Sequence, residues 1–471
     1  MTIDSIIEKK RISILVGIIT LAIILQLYNL GHKSLWLDEV WSFKFASMNL
    51  MEILGSPDKP NPPLYYTILH FFLKFGKDEF ILRLPSVIAG ISCIPLVYKV
   101  GSDFFNYRVG LLSAFLLATS PFFYWHAQEA RCYTLFTLFS LLSLIFFYNA
   151  LRTNDASLWI GFVISTSLGF YTHYYAFFLI LIEFSFMIVF INRYKLFISK
   201  FFLSSIAIII LILPQIMSFF TGMSSKLNEG SSWGMPPSLI FIPDVFMNLS
   251  KGYVMYSHWF VLLIFLVFLY GIWRSYIEDK EMFGLSAIWI FAPIMISFLL
   301  AFKINVDVRY FIFILPVYLI VISKGLLDIG KKQFSIFLFV FIILCVSNAY
   351  LLHASYNDTW EDWRSVASSI KSSSLQSDYI LCNPAYLENA LIYYDINPNM
   401  ILESDAKNGE DLRIEVQRIL QGTKRLWIPY TGYIDDKKNI LLNWLNDNSI
   451  RKYEFKKDIM IYLCDYNLSA H

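Results

Sequence analysis

Residues 12–45 read ISILVGIITLAIILQLYNLGHKSLWLDEVWSFKF, an apolar run followed closely by two adjacent carboxylates. The apolar part is long enough to cross a bilayer, which takes about 17–25 helical residues. Asp38 and Glu39 stand between Trp36 and Trp41, and tryptophan on both sides fits the depth of the lipid headgroups. Acids beside a spanning helix cost free energy unless they face water, a partner or a substrate. The pair therefore belongs either to a solvated loop, to a helix cap or to a functional site.

The composition places the chain among membrane proteins. Of its 471 residues, 57% are hydrophobic and only 16% are charged, and the mean hydropathy is +0.55. A soluble domain could not bury this much apolar surface, because surface-to-volume scaling limits its core. The net charge of +2 is too small to favour nucleic acid as a partner, and no basic block occurs. We predict an α-helical polytopic membrane protein that contacts membrane lipids and binds no nucleic acid.

About eleven apolar segments predict transmembrane helices. The first ends near residue 30, and the second runs from 79 to 100. The others are 109–125, 132–151, 158–173, 174–192, 201–220, 256–274, 284–303, 309–327 and 334–352. The stretch from 158 to 192 is short for two passes, and a single span there would exchange the sides of all later loops.

Basic residues predict the orientation of the chain. Lys9, Lys10 and Arg11 precede the first span and place the N-terminus in the cytoplasm. The span ends without a small-residue cleavage site, so we expect it to remain as an anchor. An odd number of spans then puts the C-terminus outside, in a multi-pass protein of the plasma membrane.

The apolar pattern ends near residue 352, where we predict a domain boundary. Residues 1–352 form the transmembrane domain, and its first outer loop, residues 31–79, carries the acidic pair. Residues 353–471 alternate short strands with amphipathic helices and predict a small extracytoplasmic α/β domain. Its predicted helices are WEDWRSVASSIK, 408–421 and 437–446, and its predicted strands are DYILCN, KRLWIPY and DIMIYLCDY. It carries no recognisable catalytic motif, and we expect it to cover or support the loop face.

Unusual polar groups fall on the predicted outer face of the membrane. They are Asp38, Glu39, Asn61, Tyr65, Arg83, Gln128, Glu129, Arg131, His173, Arg309 and Tyr310. Each has a structural alternative, since arginine and histidine often anchor helix ends. Together, carboxylates can act as general base and guanidinium groups can bind and stabilise a phosphate leaving group. This predicts an enzyme that activates an acceptor while holding a lipid-linked phosphate, with no cofactor required.

At these residues the sequence resembles the GT-C superfamily of integral-membrane glycosyltransferases. The matching segments lie within residues 10–352, in the order SLWLDEVWS, NPPLYYTILHFFLKFGKDEFILRLPSVIAG, HAQEARCYTLFTLFSLLSL, YTHYYAFF and VRYFIFILPVYLIV. The branch it is most similar to contains protein O-mannosyltransferases and lipid A aminoarabinose transferases. The resemblance implies a GT-C fold with a catalytic first outer loop. It also implies sugar transfer from a polyprenyl-phosphate-sugar donor to a lipid, glycan or protein acceptor on the outer side.

The resemblance implies a role for each matching residue. Asp38 would be the general base or would orient the acceptor, and Glu39 would support it. Asn61 departs from the pattern, because relatives often carry His or a Lys-containing variant before the proline. The residues implied for the donor phosphate or sugar are Arg83, Arg131, Arg309 and Tyr310.

Several alternatives stay open at this point. A polytopic transporter or lipid-sugar flippase would place ionisable residues near the membrane midplane, where Glu183 is the main acid. An inactive scaffold with a glycosyltransferase-like fold is a further alternative. A divalent cation could lie beside Asp38 and Glu39, since hard cations favour oxygen ligands, but two adjacent acids do not specify a metal site.

Overall fold

The computed structural model describes residues 3–55, 61–228, 240–254, 258–304, 306–358, 361–422, 425–455 and 459–465. The chain divides into two compact units. The first, here the helical unit, comprises Met1–Leu30, Met48–Lys77 and Ile81–Asn357. The second, here the α/β unit, comprises Gly31–Ser47, Asp78–Phe80 and Asp358–His471. Parts of five predicted elements lie outside the described residues. They are residues 56–60 of the first outer loop, 256 and 257 of the span 256–274, and residues 360, 424, 458 and 466 at the ends of elements predicted in the tail.

Helices make up most of the described chain before residue 358. The first eight are α1 (Ile3–Leu27), α2 (Leu37–Ala46), α3 (Leu50–Gly55), α4 (Leu64–Phe72), α5 (Glu79–Phe104), α6 (Tyr107–Ala118), α7 (Pro121–Ala127) and α8 (Tyr133–Thr153). The next nine are α9 (Ala156–Thr172), α10 (Phe177–Val189), α11 (Ile191–Tyr194), α12 (Ile198–Asn228), α13 (Phe241–Lys251), α14 (His258–Glu278), α15 (Lys280–Leu300), α16 (Leu315–Lys332) and α17 (Phe334–Asn357). Short 3-10 helices lie at Tyr174–Ala176, Lys195–Phe197 and Val308–Ile314.

The predicted polytopic fold is confirmed. Among the described residues, eight helical segments are long and apolar enough to cross a membrane, and α6 with α7 makes nine if this pair, bent by 59°, is one span. The break between the two helices covers Thr119 and Ser120. Pro121 is the first residue of α7, and Ser120 Oγ accepts the Phe123 N–H at 3.3 Å. Two shorter apolar helices, Ala156–Thr172 and Tyr174–Val189, account for the remaining predicted segments.

The stretch from 158 to 192 contains two helices. α9 ends at Thr172, and His173 has an extended backbone with φ −153° and ψ 138°. His173 Nδ1 accepts the Tyr175 N–H at 3.1 Å, which starts the next turn. α9 packs mainly against α8 and α12, whereas α10 packs mainly against α15. The different neighbours agree with the prediction of two segments, and the sides of the membrane that they connect stay a prediction.

Glu183, the main acid predicted inside a span, takes part in helix packing. Its Oε1 accepts a hydrogen bond from Ser143 Oγ at 2.7 Å, and the hydroxyls of Ser143 and Thr166 are 2.7 Å apart. These residues lie on α10, α8 and α9. Because buried polar groups are costly unless bonded, this network links the three helices.

Two glycines allow α14 and α16 to approach closely. A Cβ atom at Gly271 would lie 2.2 Å from the carbonyl oxygen of Val321, and one at Gly325 would lie 2.5 Å from that of Val267. Small residues permit such contacts between membrane helices. α16 continues directly from the 3-10 helix Val308–Ile314, which carries Arg309 and Tyr310. The packing of α16 therefore also fixes the position of these two candidate residues.

The predicted α/β tail is present. Its elements are α18 (Trp363–Ser373), β1 (Tyr379–Cys382), α19 (Glu388–Tyr393), β2 (Ile401–Glu403), α20 (Gly409–Gly422), β3 (Arg425–Tyr430), α21 (Ile440–Asn448), β4 (Ser449–Glu454) and β5 (Met460–Asp465), with 3-10 helices at Ala385–Leu387 and Pro398–Met400. The sheet order is β2-β1-β3-β5-β4. β1 is parallel to β2 and β3, and β5 is antiparallel to β3 and β4. Apolar side chains from β1, β3, β5, α20 and α21 form its core.

The limits of the two units differ from the predicted domains in two places. α17 continues to Asn357, beyond the predicted boundary at 352. The predicted outer loop, residues 31–79, is divided, and its first part, Gly31–Ser47, belongs to the α/β unit. The reason is packing between residues distant in sequence, because α2 lies against α19 and the ring of Phe43 meets that of Tyr393 at 5.0 Å.

We expect Gly271→Ala to lower the thermal unfolding midpoint of the purified protein. The added Cβ would meet the Val321 carbonyl oxygen, and overpacking of this kind costs about 1–3 kcal/mol. Gly17→Ala is the matched control, since no atom lies within 4 Å of its added Cβ. An unchanged midpoint for Gly271→Ala, measured in the same detergent, would contradict the close packing of α14 and α16.

Candidate active site

The two acids of SLWLDEVWS lie in the first turn of α2 but have different surroundings. Glu39 is 1% exposed, and its Oε2 accepts the Trp36 N–H at 3.4 Å. Asp38 is partly exposed, and its backbone carbonyl accepts a hydrogen bond from Ser42 Oγ at 3.1 Å. Carboxylates are favoured here because the first N–H groups of a helix have no partner within it. Glu39 therefore caps the helix, and Asp38 is the more accessible acid.

A third carboxylate, which the sequence did not indicate, holds the start of α2. Glu361 Oε2 accepts the Leu37 N–H at 3.1 Å and the Trp363 Nε1–H at 2.5 Å. Its Oε1 accepts the Tyr433 hydroxyl at 2.7 Å. Burial raises the pKa of Glu361, its hydrogen bonds oppose this rise, and the charge of Asp38 adds to it. The α/β unit thus places this third, fixed carboxylate close to Asp38.

The chain that enters α2 is held by the same unit. Arg364 Nη1 donates to the His32 carbonyl oxygen at 2.8 Å, and its Nη2 lies 2.6 Å from Glu79 Oε1. The Tyr394 hydroxyl accepts the Leu35 N–H at 2.8 Å and donates to Glu79 at 2.9 Å. Several charged and polar contacts therefore fix the segment that positions Asp38.

In the helical unit, three predicted residues meet around the ring of Tyr133. The guanidinium carbons of Arg131 and Arg309 lie 5.8 Å and 6.0 Å from the ring centroid. The ring of His173 lies 5.9 Å from it. Cation–π attraction extends to about 6 Å, so both arginines are held by one aromatic side chain. Tyr133 itself was not predicted as a site residue, because a tyrosine in an apolar run gives no distinctive signal.

Arg309 and Tyr310 are oriented by their neighbours. Asp307 Oδ2 lies 3.0 Å from Arg309 Nε, and its Oδ1 accepts the Arg309 N–H at 3.0 Å. The ring of Tyr310 lies 5.3 Å from that of His173 and 5.1 Å from that of Tyr175. The side chain of Arg309 remains 20% exposed. The geometry therefore combines a fixed orientation with access for a ligand.

The HAQEAR segment forms a buried hydrogen-bonded turn. Glu129 Oε2 lies 2.9 Å from His126 Nδ1, and its Oε1 accepts the Trp125 Nε1–H at 2.8 Å. His126 Nε2 lies 3.1 Å from the Tyr253 hydroxyl. Burial tends to raise the pKa of Glu129, but His126, Arg309 and Trp125 together hold it below its ordinary value. Glu129 is thus an anionic neighbour of the arginine cluster, and the sequence did not predict its partners His126 and Tyr253.

Tyr65 and Asn61 also lie inside the helical unit. The Tyr65 hydroxyl is 2.8 Å from Ser86 Oγ, which donates to the backbone carbonyl of Arg131 at 2.9 Å. Tyr65 therefore helps to fix the backbone that carries Arg131. Asn61 is buried, and it stays a candidate site residue.

Gln128 and Arg83 bind the chain at the end of α1. Gln128 Nε2 donates to the carbonyl oxygens of Gln26 and Tyr28 at 3.0 Å and 2.7 Å. Arg83 Nη1 donates to the Leu30 carbonyl oxygen at 2.8 Å. These bonds serve carbonyl groups that a helix end leaves without internal partners. Arg83 is 3% exposed, and its predicted role in donor binding stays a prediction.

The predicted acidic pair offers few ligands for a metal ion. Among the described residues, no group of three or more His, Cys, Asp or Glu side chains is arranged to hold one. Glu39 bonds to backbone, which leaves Asp38 as the accessible acid of the pair. Ca²⁺ and Mg²⁺ take about six or more oxygen ligands, so an ion beside the pair would need water or other groups to complete its coordination.

Known proteins match this chain in part of its sequence and in its fold. Residues 58–217 match the family described as dolichyl-phosphate-mannose-protein mannosyltransferase. A comparison with curated protein sequences gives no significant match.

Solved structures match over nearly the whole chain. ArnT from Cupriavidus metallidurans in the apo state has a TM-score of 0.65 and 12% identity, covering 96% of this chain and 98% of that one. The same protein bound to undecaprenyl phosphate has a TM-score of 0.62 and 11% identity, and the match covers 95% of this chain and 97% of that one. The Archaeoglobus fulgidus oligosaccharyltransferase in complex with Zn and sulfate has a TM-score of 0.59 and 12% identity, and the match covers 95% of this chain and 72% of that one. At such identities the matches establish a shared fold, and this is the predicted one.

We expect Glu361→Ala to loosen the start of α2. The substitution leaves the buried donors of Leu37 and Trp363 without their acceptor, at a cost of about 1–3 kcal/mol for each unsatisfied group. Hydrogen exchange followed by mass spectrometry should show faster exchange in peptides that cover residues 36–40. Glu403→Ala, at an exposed carboxylate of the same unit, is the control. Equal exchange in both variants would contradict the role of Glu361.

Proposed function

We infer that this chain, which has the GT-C fold of integral-membrane glycosyltransferases, transfers a sugar from a polyprenyl-phosphate-linked donor to an acceptor on the extracytoplasmic face. The observation that carries this proposal is the convergence of Arg131 and Arg309 on Tyr133. The match of residues 58–217 to a mannosyltransferase family supports it. So does the shared fold with ArnT, which has been solved with undecaprenyl phosphate.

In the proposed reaction, Asp38 acts as general base. An acceptor oxygen or nitrogen forms a bond to the anomeric carbon of the donor sugar, with inversion, and the bond between that carbon and the phosphate oxygen breaks. The bonding electron pair leaves with the polyprenyl phosphate, and the acceptor proton passes to Asp38. The accessibility of Asp38 and the fixed start of α2 support this role, because a base must be held in position. Glu39 supports it by capping the helix.

The arginine cluster is proposed to bind the donor phosphate. Guanidinium groups match phosphate in shape and charge and can stabilise the charge that develops on the leaving group. Glu129 and Asp307 place negative charge beside Arg309 before a ligand binds, which reduces the cost of burying its charge. Tyr310 and His173, whose rings adjoin Tyr133 or one another, are proposed to line the same donor site.

The phosphate provides the leaving group, so the proposed reaction requires no cofactor. A divalent cation is compatible with it, and the oligosaccharyltransferase structure holds Zn together with sulfate. A metal at Asp38 would need ligands besides those of the acidic pair. Activity assays with and without EDTA separate a reaction that needs a metal ion from one that does not. EDTA abolishes the activity in the first case and leaves it unchanged in the second.

A transporter or flippase is the alternative from another class. Its main support in the sequence was Glu183, but the hydrogen bond from Ser143 gives this acid a place in helix packing. A transferase releases free polyprenyl phosphate from a lipid-sugar donor, whereas a flippase leaves the donor intact. The same assay therefore distinguishes the two classes.

We expect Asp38→Asn to reduce sugar transfer by about 10²–10⁴-fold, because the amide cannot accept the acceptor proton. The assay follows the release of polyprenyl phosphate by purified protein from a lipid-sugar donor in the presence of acceptor. Asp405→Asn, at an exposed acid of the α/β unit, is the matched control and should retain activity. Near-wild-type transfer by a folded Asp38→Asn variant would remove Asp38 from the mechanism.

Arg309→Gln should lower kcat/KM for the lipid donor by about 10²–10³-fold, the effect of losing one donor that stabilises transition-state charge. Arg309→Lys keeps the charge but loses the planar fork, so its activity should lie between that of Arg309→Gln and wild type. The control is Arg413→Gln, which breaks an ion pair with Glu410 in the α/β unit. Equal kinetics for wild type and Arg309→Gln would contradict a phosphate-binding role.

A further inference from the structure

Aromatic side chains of the α/β unit lie close to Asp38. The ring of Tyr386 is 6.4 Å from that of Trp41, one helical turn after Asp38, and 6.1 Å from that of Tyr433. Burial raises the pKa of Tyr386 to about 12, with smaller contributions from the charges of Glu361 and Asp38. Both carboxylates also add to the burial that raises the pKa of Tyr433. The carboxylates of Asp38 and Glu361 therefore lie close to the phenol groups of Tyr386 and Tyr433.

These rings differ from the core aromatics of the same unit. Trp41, Tyr386 and Tyr433 are partly exposed, whereas Trp427 and Tyr462 are completely buried. Core packing alone would favour full burial. A partly open group of rings beside an accessible carboxylate has the character of a binding surface.

Tyr386 is the ring best placed to receive a ligand. Trp41 is already in contact with its own helix, because Phe45 stacks on it at 5.6 Å and Lys44 Nζ lies 4.9 Å from its centroid. Tyr433 is held through its hydroxyl by Glu361. Trp41 and Tyr433 are therefore fixed neighbours of Tyr386.

We propose that Tyr386, flanked by Trp41 and Tyr433, forms an acceptor subsite that binds a neutral saccharide and presents its hydroxyl group to Asp38. The face of an aromatic ring is negative and attracts the C–H face of a sugar ring. Carboxylates accept hydrogen bonds from sugar hydroxyls. An anionic acceptor would be repelled by Asp38 and Glu361, since like charges brought together cost free energy.

This inference rests on the proposed function and names its acceptor class. It also gives the α/β tail a direct part in the reaction, where the sequence indicated only a covering or supporting role. Glu361 links the aromatic rings of the subsite to the helix that carries Asp38, because it bonds both to Tyr433 and to the first N–H of α2. The rings and Asp38 are therefore held in one arrangement before the acceptor arrives, which lowers the entropy cost of binding.

The test measures acceptor binding without the donor. Full-length protein in lipid nanodiscs is examined by saturation-transfer difference NMR with methyl α-D-mannopyranoside and methyl β-D-glucopyranoside as neutral probes. A peptide containing Ser and Thr is the competing acceptor class. Tyr386→Leu should weaken about tenfold the binding of whichever glycoside the wild-type protein binds. Tyr386→Phe should bind nearly as wild type, because it keeps the ring.

Tyr379→Leu is the matched control, since Tyr379 is an exposed aromatic residue on β1 of the same unit. It should bind the glycosides as wild type does. Glycoside binding that Tyr386→Leu leaves unchanged, or wild-type binding of the peptide but of neither glycoside, would overturn the proposal. The donor-cleavage assay is run in parallel on the same preparation. Loss of glycoside binding in Tyr386→Leu, together with no donor cleavage by wild type, would support the subsite and refute the transferase.

Discussion

The hydrogen bond from the Leu37 N–H to Glu361 holds the start of α2, which carries Asp38, against the rest of the α/β unit. A helix start leaves N–H groups without internal partners, and α2 begins after Trp36, whose side chain gives no capping bond. Glu361, far away in the sequence, supplies the acceptor for Leu37 and bonds to Tyr433 and Trp363. Together with the packing of α2 against α19, this bond makes α2 part of the α/β unit, so the proposed base takes its position from the tail of the chain.

The helical unit holds arginine side chains inside an apolar protein, where an unpaired charge costs free energy. Arg131 and Arg309 share the ring of Tyr133, and Asp307 and Glu129 place negative charge nearby. The charge of Arg309 is tolerated because these acids compensate it. Such an arrangement is stable without a ligand and still suits an anionic one.

The sequence predicted those features that depend on local pattern. Bilayer thickness sets the length of apolar runs, so the helical segments were recognisable, and alternating residues revealed β1, β3 and β5. β4, with the sequence SIRKYE, was missed because edge strands carry charges that hide the alternation. Glu361, Tyr133, Tyr253 and Tyr386 were also missed, since their importance depends on contacts between distant segments. Arg131 and Arg309 were predicted as members of one site, but the ring of Tyr133, which lies near both, was not.

The proposed transfer of sugar from a polyprenyl-phosphate donor is tested most directly by comparing cells with and without this protein. Mass spectrometry of their lipids and glycans measures both sides of the reaction. The proposal expects cells without the protein to accumulate polyprenyl-phosphate-sugar and to lose one sugar from an envelope lipid, glycan or protein. Unchanged donor and acceptor pools under conditions where the protein is made would contradict it.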